Sequence, residues 1–192
     1  MRPENCLTQT LRHEKTDTLP WVPFAGVHAG KLVGKTAKEV LTDENALLDA
    51  LLAVNRLYKP HGQPVMFDLQ IEAEILGCEL VWAEDGPPSV RSHPLADTAT
   101  VPCRCTLPTE EDGRIPMVLR TMRRMKEQVG AHTLLYGLVC GPFTLASHLR
   151  GNDLFMSLSR YSFSPLSQMG FASAQIWSRS SVVKRQRFTC SS

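Results

Sequence analysis

The sequence predicts an α/β fold with a parallel sheet. Three short apolar runs, at residues 21–25, 64–67 and 133–139, have the length and composition of buried strands. Each run is followed by a turn that contains glycine or begins with an acid, and amphipathic helical patterns fill the intervals between the runs. Buried strands that alternate with such helices are typical of a parallel sheet.

Capping residues place the helices. Thr36 and Glu39 form a capping-box pattern that predicts the start of a short helix, and Thr42 or Asp43 is expected to cap a longer one. The apolar face of this longer helix consists of Leu47, Leu48, Leu51, Leu52 and Tyr58. A helix over residues 71–76 is expected to end at Gly77. Another is expected from Pro116 to Val129, before Gly130.

The segment between the last two helices is less regular. Residues 78–82 are predicted to form a further strand, and the Gly-Pro-Pro sequence at residues 86–88 turns the chain. Residues 90–94 and 100–105 form either a small hairpin or an excursion above the sheet.

The distribution of charge marks a boundary near residue 156. Residues 1–153 contain 16 Lys and Arg against 19 Asp and Glu, whereas residues 154–192 contain five basic residues, no acid and 11 serines. We expect residues 1–156 to form the folded unit and residues 157–192 to be an irregular, basic, Ser-rich tail. A frameshift or truncation of the gene explains the tail; nucleic-acid binding is the alternative.

Composition also indicates a compartment. No apolar run reaches about 18 residues, and the first residues lack the apolar stretch of a secretory signal, so a cytoplasmic protein without a membrane span is expected. The six cysteines lack the spacing of a disulfide scaffold and are expected to be reduced. Cys103 and Cys105 are either a metal-binding pair or two ordinary thiols, and no second pair at zinc-ribbon spacing accompanies them.

Asp68 is the candidate catalytic residue, and it is also a candidate substrate-binding residue. It follows a predicted buried strand, and in a barrel of parallel strands this end carries the active-site groups. A carboxylate there can bind a ligand or stabilise developing positive charge. The alternative is that Asp68 caps the short helix that follows.

Two further turns supply the other candidate substrate-binding residues. His28, Gly30 and Lys31 belong to the first block, in which glycine permits close approach and lysine can bind an anion; the alternative is a plain loop with a surface lysine. Gly141 precedes a helix whose N-terminus suits a carboxylate or phosphate, although such turns are common. His148 follows about two turns later and faces either a ligand cavity or the core.

Three blocks in register resemble the uroporphyrinogen decarboxylase superfamily, which includes the heme-pathway decarboxylase and the methylcobalamin:thiol methyltransferases. They are Gly-Val-His-Ala-Gly-Lys at residues 26–31, Phe-Asp-Leu-Gln-Ile-Glu-Ala-Glu-Ile-Leu-Gly at 67–77 and Gly-Pro-Phe-Thr-Leu at 141–145. The resemblance spans roughly residues 17–155 and implies the N-terminal half of a TIM-type (β/α)8 barrel. Because a closed barrel needs about 250 residues, a chain of 192 residues is not expected to close the sheet by itself.

Differences from the decarboxylase favour the methyltransferase branch. The decarboxylase reads Arg-Gln-Ala-Gly-Arg in the first block, where both arginines hold substrate carboxylates, whereas here Val27 replaces the first and Lys31 the second. A substrate carboxylate left unpaired in a partly desolvated site is costly, and lysine lacks the bidentate grip of arginine. Asp68 matches the aspartate that contacts pyrrole N–H groups in the decarboxylase, and His148 lies where that enzyme has a tyrosine.

The resemblance therefore implies methyl transfer from a methylcorrinoid to a thiol, with uroporphyrinogen III decarboxylation as the alternative. The methyltransferase branch uses zinc held by a His-x-Cys motif and a distant cysteine in the C-terminal half, and this sequence has no His-x-Cys. We thus expect no metal ligands and no bound cofactor in this chain, although the full-length enzyme would use zinc and a methylcorrinoid. The expected partners are a tetrapyrrole or methylcorrinoid substrate and a corrinoid protein, without nucleic acid or membrane. An inactive fragment or a homo-oligomer formed through open strand edges is the non-enzymatic alternative.

Overall fold

The computed structural model describes residues 5–97 and 108–151. The helices are α1 (Cys6–Leu11), α2 (His28–Lys31), α3 (Ala37–Thr42), α4 (Glu44–Tyr58), α5 (Ile71–Ile75), α6 (Ile115–Val129) and α7 (Pro142–Arg150). The strands are β1 (Gly62–Pro64), β2 (Leu80–Val81), β3 (Ser89–Val90) and β4 (Leu134–Tyr136). This order confirms a mixed α/β chain in which helices separate short strands.

The described strands form two separate pairs. Strands β1 and β4 are parallel, with Gly62 opposite Leu134, and the backbone N–H of Val65 extends the pairing by donating to Tyr136 O at 3.0 Å. Strands β2 and β3 are antiparallel. The further strand predicted at residues 78–82 is present but shortened to Leu80–Val81, and Leu80 pairs with Val90 across the turn at residues 86–88.

The first predicted strand is replaced by an extended segment without regular pairing. Residues 21–25 form no strand, and Trp21 contacts His61, directly before β1. Trp21 O accepts from His61 N at 2.9 Å, and Trp21 N donates to His61 Nδ1 at 2.9 Å. A side-chain acceptor thus replaces the backbone carbonyl that would continue a ladder. The predicted strands at 64–67 and 133–139 are present but are shorter, and the first begins two residues earlier.

The helix starts follow the capping residues. Thr36 Oγ1 accepts from Glu39 N, and the Glu39 carboxylate accepts from Thr36 N, so the predicted capping box is confirmed. Asp43 Oδ1 accepts from Ala46 N at 2.8 Å and caps α4. Pro116 lies in the first turn of α6, and Gly141 is the N-cap of α7. These local predictions succeed because each depends on neighbouring residues alone.

Two hydrophobic clusters hold the described elements together. The larger contains the buried faces of α3, α4 and α6 with residues 65–67, and the smaller joins α5 to α7 through Ala73, Cys78, Cys140, Leu145 and Leu149. Arg120 and Arg124, on α6, form ion pairs with Glu44 on α4. Because Ala73 follows β1 and Cys140 follows β4 in the chain, the smaller cluster lies beside the ends of these strands.

Several predictions concern residues beyond this description. Part of the proposed hairpin, at residues 100–105, the cysteine pair at 103 and 105 and the tail at 157–192 lie outside the described residues. Among the residues that are described, no helix has the length and apolarity needed to cross a membrane.

Candidate functional site

Asp68 lies at the carboxyl end of the parallel pair, four residues after β1. Residues 65–67 are buried, and the Asp68 side chain has no exposed surface. Its Oδ1 accepts from Gln70 N at 2.9 Å, which makes a local turn before α5. This contact resembles the predicted capping role, although the N-cap residue of α5 is Gln70.

The charge of Asp68 is balanced by Arg114, which immediately precedes α6. Arg114 Nη1 lies 2.6 Å from Asp68 Oδ2, a charge contact whose angles are not those of a hydrogen bond, and the same Nη1 donates to Leu41 O at 3.1 Å. Arg114 Nε donates to Glu74 Oε2 at 2.8 Å. The Asp68 carboxylate is thus buried and paired with Arg114, and its role in ligand contact stays a prediction.

A second buried carboxylate joins the ends of the two parallel strands. Glu72, on α5, is 4% exposed, and its Oε1 accepts from Cys140 N at 3.0 Å. Burial, together with the negative charges of Glu72 and Asp68, raises the pKa of the Cys140 thiol to about 12. Cys140 is therefore a protonated, unreactive thiol at neutral pH.

His148, on α7, belongs to the same polar cluster. Burial lowers the pKa of its imidazole first and nearby His93 lowers it further, whereas Asp68 and Glu72 act in the opposite direction. Its Nε2 is buried and has no hydrogen-bond partner within the described part of the chain. Its backbone carbonyl accepts from His93 Nδ1 at 2.7 Å. The structure thus brings the predicted residues Asp68 and His148 into one electrostatic neighbourhood.

The residues of the first block make their contacts elsewhere. His28 is exposed and its Nε2 lies 3.4 Å from Tyr58 Oη, while Lys31 Nζ lies 3.6 Å from Asp85 Oδ1 with both side chains mostly exposed. Gly30 is buried in α2, where a Cβ atom would lie 2.7 Å from Lys35 O. A close helix contact is thus sufficient to explain this glycine, and the three substrate-binding assignments remain predictions.

Gly141 is an exposed residue beside the polar cluster of Asp68, Glu72 and His148. It follows Cys140 directly, is exposed, and starts α7 without a side-chain cap. Two large apolar side chains flank it in sequence and remain about half exposed, Val139 at 41% and Phe143 at 49%. The accessible surface at this end is therefore apolar, and the ionisable groups lie beneath it.

Comparison with known protein families identifies the family of this chain. The family model described as uroporphyrinogen decarboxylase (URO-D) matches residues 2–162. This chain belongs to the uroporphyrinogen decarboxylase family. The resemblance seen in the three sequence blocks is thereby confirmed.

Related members of this family are methyltransferases of methanogens. The chain is 26% identical over 160 residues to the methylcobamide:CoM methyltransferase MtbA of Methanosarcina acetivorans, which covers 81% of this chain and 47% of that protein. It is 34% identical over 85 residues to the methylated-thiol–coenzyme M methyltransferase of Methanosarcina mazei, which covers 44% of this chain and 23% of that protein.

A solved structure shows the same relationship. The chain matches a methyltransferase from Methanosarcina mazei with a TM-score of 0.72 and 26% identity, over 88% of this chain and 51% of that one. The chain thus spans about half or less of the length of the relatives that it matches.

The metal that the methyltransferase branch implies has no ligand set among the described residues. Within residues 5–97 and 108–151, no group of three or more His, Cys, Asp or Glu side chains is arranged to hold a metal ion. The carboxylate of Asp68 is bound by Arg114, and one oxygen of Glu72 is bound by the backbone of Cys140. These side chains do not fit a zinc site.

Sequence reasoning missed Arg114, Glu72 and Cys140. Glu72 had a detectable sign, because this acid stands between Ile71 and Ala73 on a very short helix and must share their buried surroundings. Arg114 had none, since it lies 46 positions after Asp68, and sequence does not show which basic residue a buried acid will meet. Cys140 acts through its backbone N–H, which every residue except proline possesses.

Proposed function

We propose that this chain supplies the N-terminal half of a (β/α)8 barrel in a corrinoid-dependent methyltransferase, which moves a methyl group from a methylcobamide to a thiol. The observation that carries the proposal is the gathering of Asp68, Glu72 and His148 below the Gly141 turn, where two parallel strands end. In a barrel of this kind the ligand site lies at that end of the strands. The names of the similar methanogen proteins supply the reaction class.

The accessible surface at this end suits a large flat ligand. Val139 and Phe143 offer apolar area to one face of a corrinoid ring, and Gly141 leaves the backbone uncovered beside them. The N-terminus of α7 has no side-chain cap, and the positive end of its helix dipole can attract an anionic group of the donor or of the thiol substrate. We therefore assign substrate contact to the Gly141 turn and its neighbours.

The buried polar layer acts on the ligand through its electric field. Asp68 and Glu72 place negative charge under the apolar surface, and Arg114 compensates Asp68 from the side of α6. His148 has a lowered pKa and is thus neutral at pH 7, so its ring adds no positive charge to the layer. Transfer of a methyl group from a corrinoid to a thiol releases one proton, and a neutral imidazole adjoining the site is a suitable acceptor for it.

The decarboxylase alternative has weaker support. The anion-binding side chain retained in the first block, Lys31, is 62% exposed and pairs with Asp85, and Val27 carries no charge. A substrate with eight carboxylates would therefore find few cations in this part of the chain. Uroporphyrinogen remains the appropriate competing ligand in a test.

Ligand binding by the full chain tests the proposal. Wild-type protein is titrated with methylcobalamin and separately with uroporphyrinogen III, and heat is recorded by calorimetry. We expect binding of methylcobalamin and little binding of uroporphyrinogen. Covering a half-exposed Phe ring contributes roughly 1–1.5 kcal/mol, so Phe143→Ser is expected to raise Kd about tenfold.

A matched control is available on the other sheet. Val81, on β2, is similarly exposed at 47%, and Val81→Ser is expected to leave Kd unchanged. Binding of uroporphyrinogen in preference to methylcobalamin would support the decarboxylase. Absence of binding by either ligand, or equal effects of the two substitutions, would contradict the proposed site. Methyl transfer to coenzyme M, with zinc and methylcobalamin supplied, is the corresponding activity assay.

A further inference from the structure

Arg114 forms two ion pairs and one contact with an aromatic ring, none of which the sequence predicts. Its side chain is 12% exposed and reaches Asp68 and Glu74 with separate nitrogens. Its guanidinium carbon lies 5.0 Å from the ring centroid of Trp82, where the positive charge meets the face of the indole. Its Nη2 is buried without a hydrogen-bond partner in the described residues. One cation therefore connects the start of α6 with the end of β1 and with α5.

The contacts of Arg114 hold α5 from both of its ends. Asp68 lies just before this helix and Glu74 lies within its last turn, and both carboxylates turn towards the same guanidinium. A planar guanidinium can bind two carboxylates in fixed directions, whereas a lysine ammonium acts as a point charge. Without Arg114, the Asp68 carboxylate would be a fully buried charge without compensation, which a folded protein rarely tolerates.

The opposite side of α5 holds the end of the second parallel strand. Glu72 and Glu74 are two residues apart on a helix and therefore project about 200° from one another. Glu74 meets Arg114, and Glu72 meets the backbone N–H of Cys140, directly before the Gly141 turn. The short helix α5 thus connects Arg114 to the turn at which α7 begins, because it carries both Glu74 and Glu72.

We propose that Arg114 is a positioning residue that seats α5 through Asp68 and Glu74 and thereby fixes, through Glu72, the Cys140–Gly141 turn of the ligand site. The consequence for ligand binding rests on the proposed function, whereas the positioning itself does not. Arg114 touches no substrate in this arrangement.

Amide hydrogen exchange measures this positioning directly. The informative amides are Gln70 N–H, which donates to Asp68, and Cys140 N–H, which donates to Glu72. We expect Arg114→Met to speed the exchange of both by at least about tenfold relative to amides of α4, because local opening frees both donors. Arg114→Lys is expected to give intermediate rates, since the charge remains but the fork is lost.

Arg120 provides the matched control on the same helix. It is 55% exposed and pairs with Glu44 at 2.7 Å, so its ion pair joins α6 to α4 and not to α5. Arg120→Met should leave the Gln70 and Cys140 amides at their wild-type rates. If Arg114→Met prevents folding, Arg114→Lys and Glu74→Gln decide the question, with faster exchange expected at both amides in each. Unchanged rates, or equal acceleration of all amides including those of α4, would overturn the proposal.

A binding measurement separates this proposal from the proposed function. If wild-type protein binds methylcobalamin, Arg114→Lys should raise Kd severalfold and Arg120→Lys should not. If wild-type protein binds no methylcobalamin, the proposed function fails, and the exchange rates still support or overturn the positioning role. Accelerated exchange with an unchanged Kd would overturn the link between Arg114 and the ligand site.

Discussion

Replacement of Gly30 by alanine tests whether this glycine is required by packing. The added Cβ would lie 2.7 Å from the backbone oxygen of Lys35 and 2.9 Å from Val40 Cγ2, both closer than carbon atoms normally approach. Neither neighbour can easily move away. The turn is closed by a hydrogen bond from Lys35 N to Gly30 O at 2.9 Å, and Val40 is fully buried and β-branched.

The expected destabilisation follows from two opposing contributions. Overpacking of a dense core costs about 1–3 kcal/mol, and exchange of glycine for alanine in a helix recovers about 0.5–1 kcal/mol through the unfolded chain. We expect Gly30→Ala to lower the free energy of unfolding by about 1–2 kcal/mol. For a chain of this size that corresponds to a fall in Tm of about 3–6 °C.

Urea unfolding followed by circular dichroism, without any ligand, is the assay. Gly86→Ala is the control, because the nearest atom to its added Cβ is Ala83 Cβ at 3.9 Å, an ordinary contact. The control is expected to match the wild-type midpoint within error. A Gly30→Ala protein as stable as wild type would refute the packing argument, and it would favour the predicted role of Gly30 in substrate binding.

Three further predictions use capping and pKa shifts. Asp43→Ala removes the side-chain acceptor of Ala46 N and should lower the free energy of unfolding by about 1 kcal/mol in urea titrations; an unchanged midpoint would contradict the capping role. Burial raises the pKa of the Cys78 thiol from 9.0 to about 11, and burial with the charges of Glu72 and Asp68 raises that of Cys140 from 9.0 to about 12. The unfolded chain therefore loses these protons first, and stability should fall as pH rises above about 9. Mass spectrometry after iodoacetamide treatment at pH 8 should accordingly find both thiols unmodified until urea is added; rapid modification of the folded chain would disprove their protected state. The pKa of His148 is lowered from 6.5, so the unfolded state gains a proton first and stability should decrease as pH falls below about 6.5. This decrease should be smaller in His148→Gln, whereas His132→Gln, at an exposed position, should retain it.

The sequence predicts where the candidate site residues lie along the chain but not which side chains they contact. Asp68, Gly141 and His148 were placed near the ends of strands, and the structure brings them to the same end of the β1–β4 pair. The side chains of His28 and Lys31 form their contacts at the exposed surface instead. A block of sequence can thus resemble a family without showing which contacts its side chains make.

The sequence by itself determined the local features of this protein. Capping boxes, helix-stopping glycines and the apolar faces of α4 and α6 depend on residues within one or two turns of each other, so they can be derived without a structure. The family also followed from three short blocks, and the match over residues 2–162 confirmed it.

The tertiary structure alone decided which distant residues contact one another. Arg114 pairs with Asp68, Glu72 binds the backbone at Cys140, and the strand at Leu80 pairs with Val90 in an antiparallel sheet. The first two contacts join residues that are distant in sequence. The third depends on which neighbouring strand a short strand pairs with. Burial then made these contacts important, because the pKa and the energy of a group removed from water depend on the particular groups that surround it.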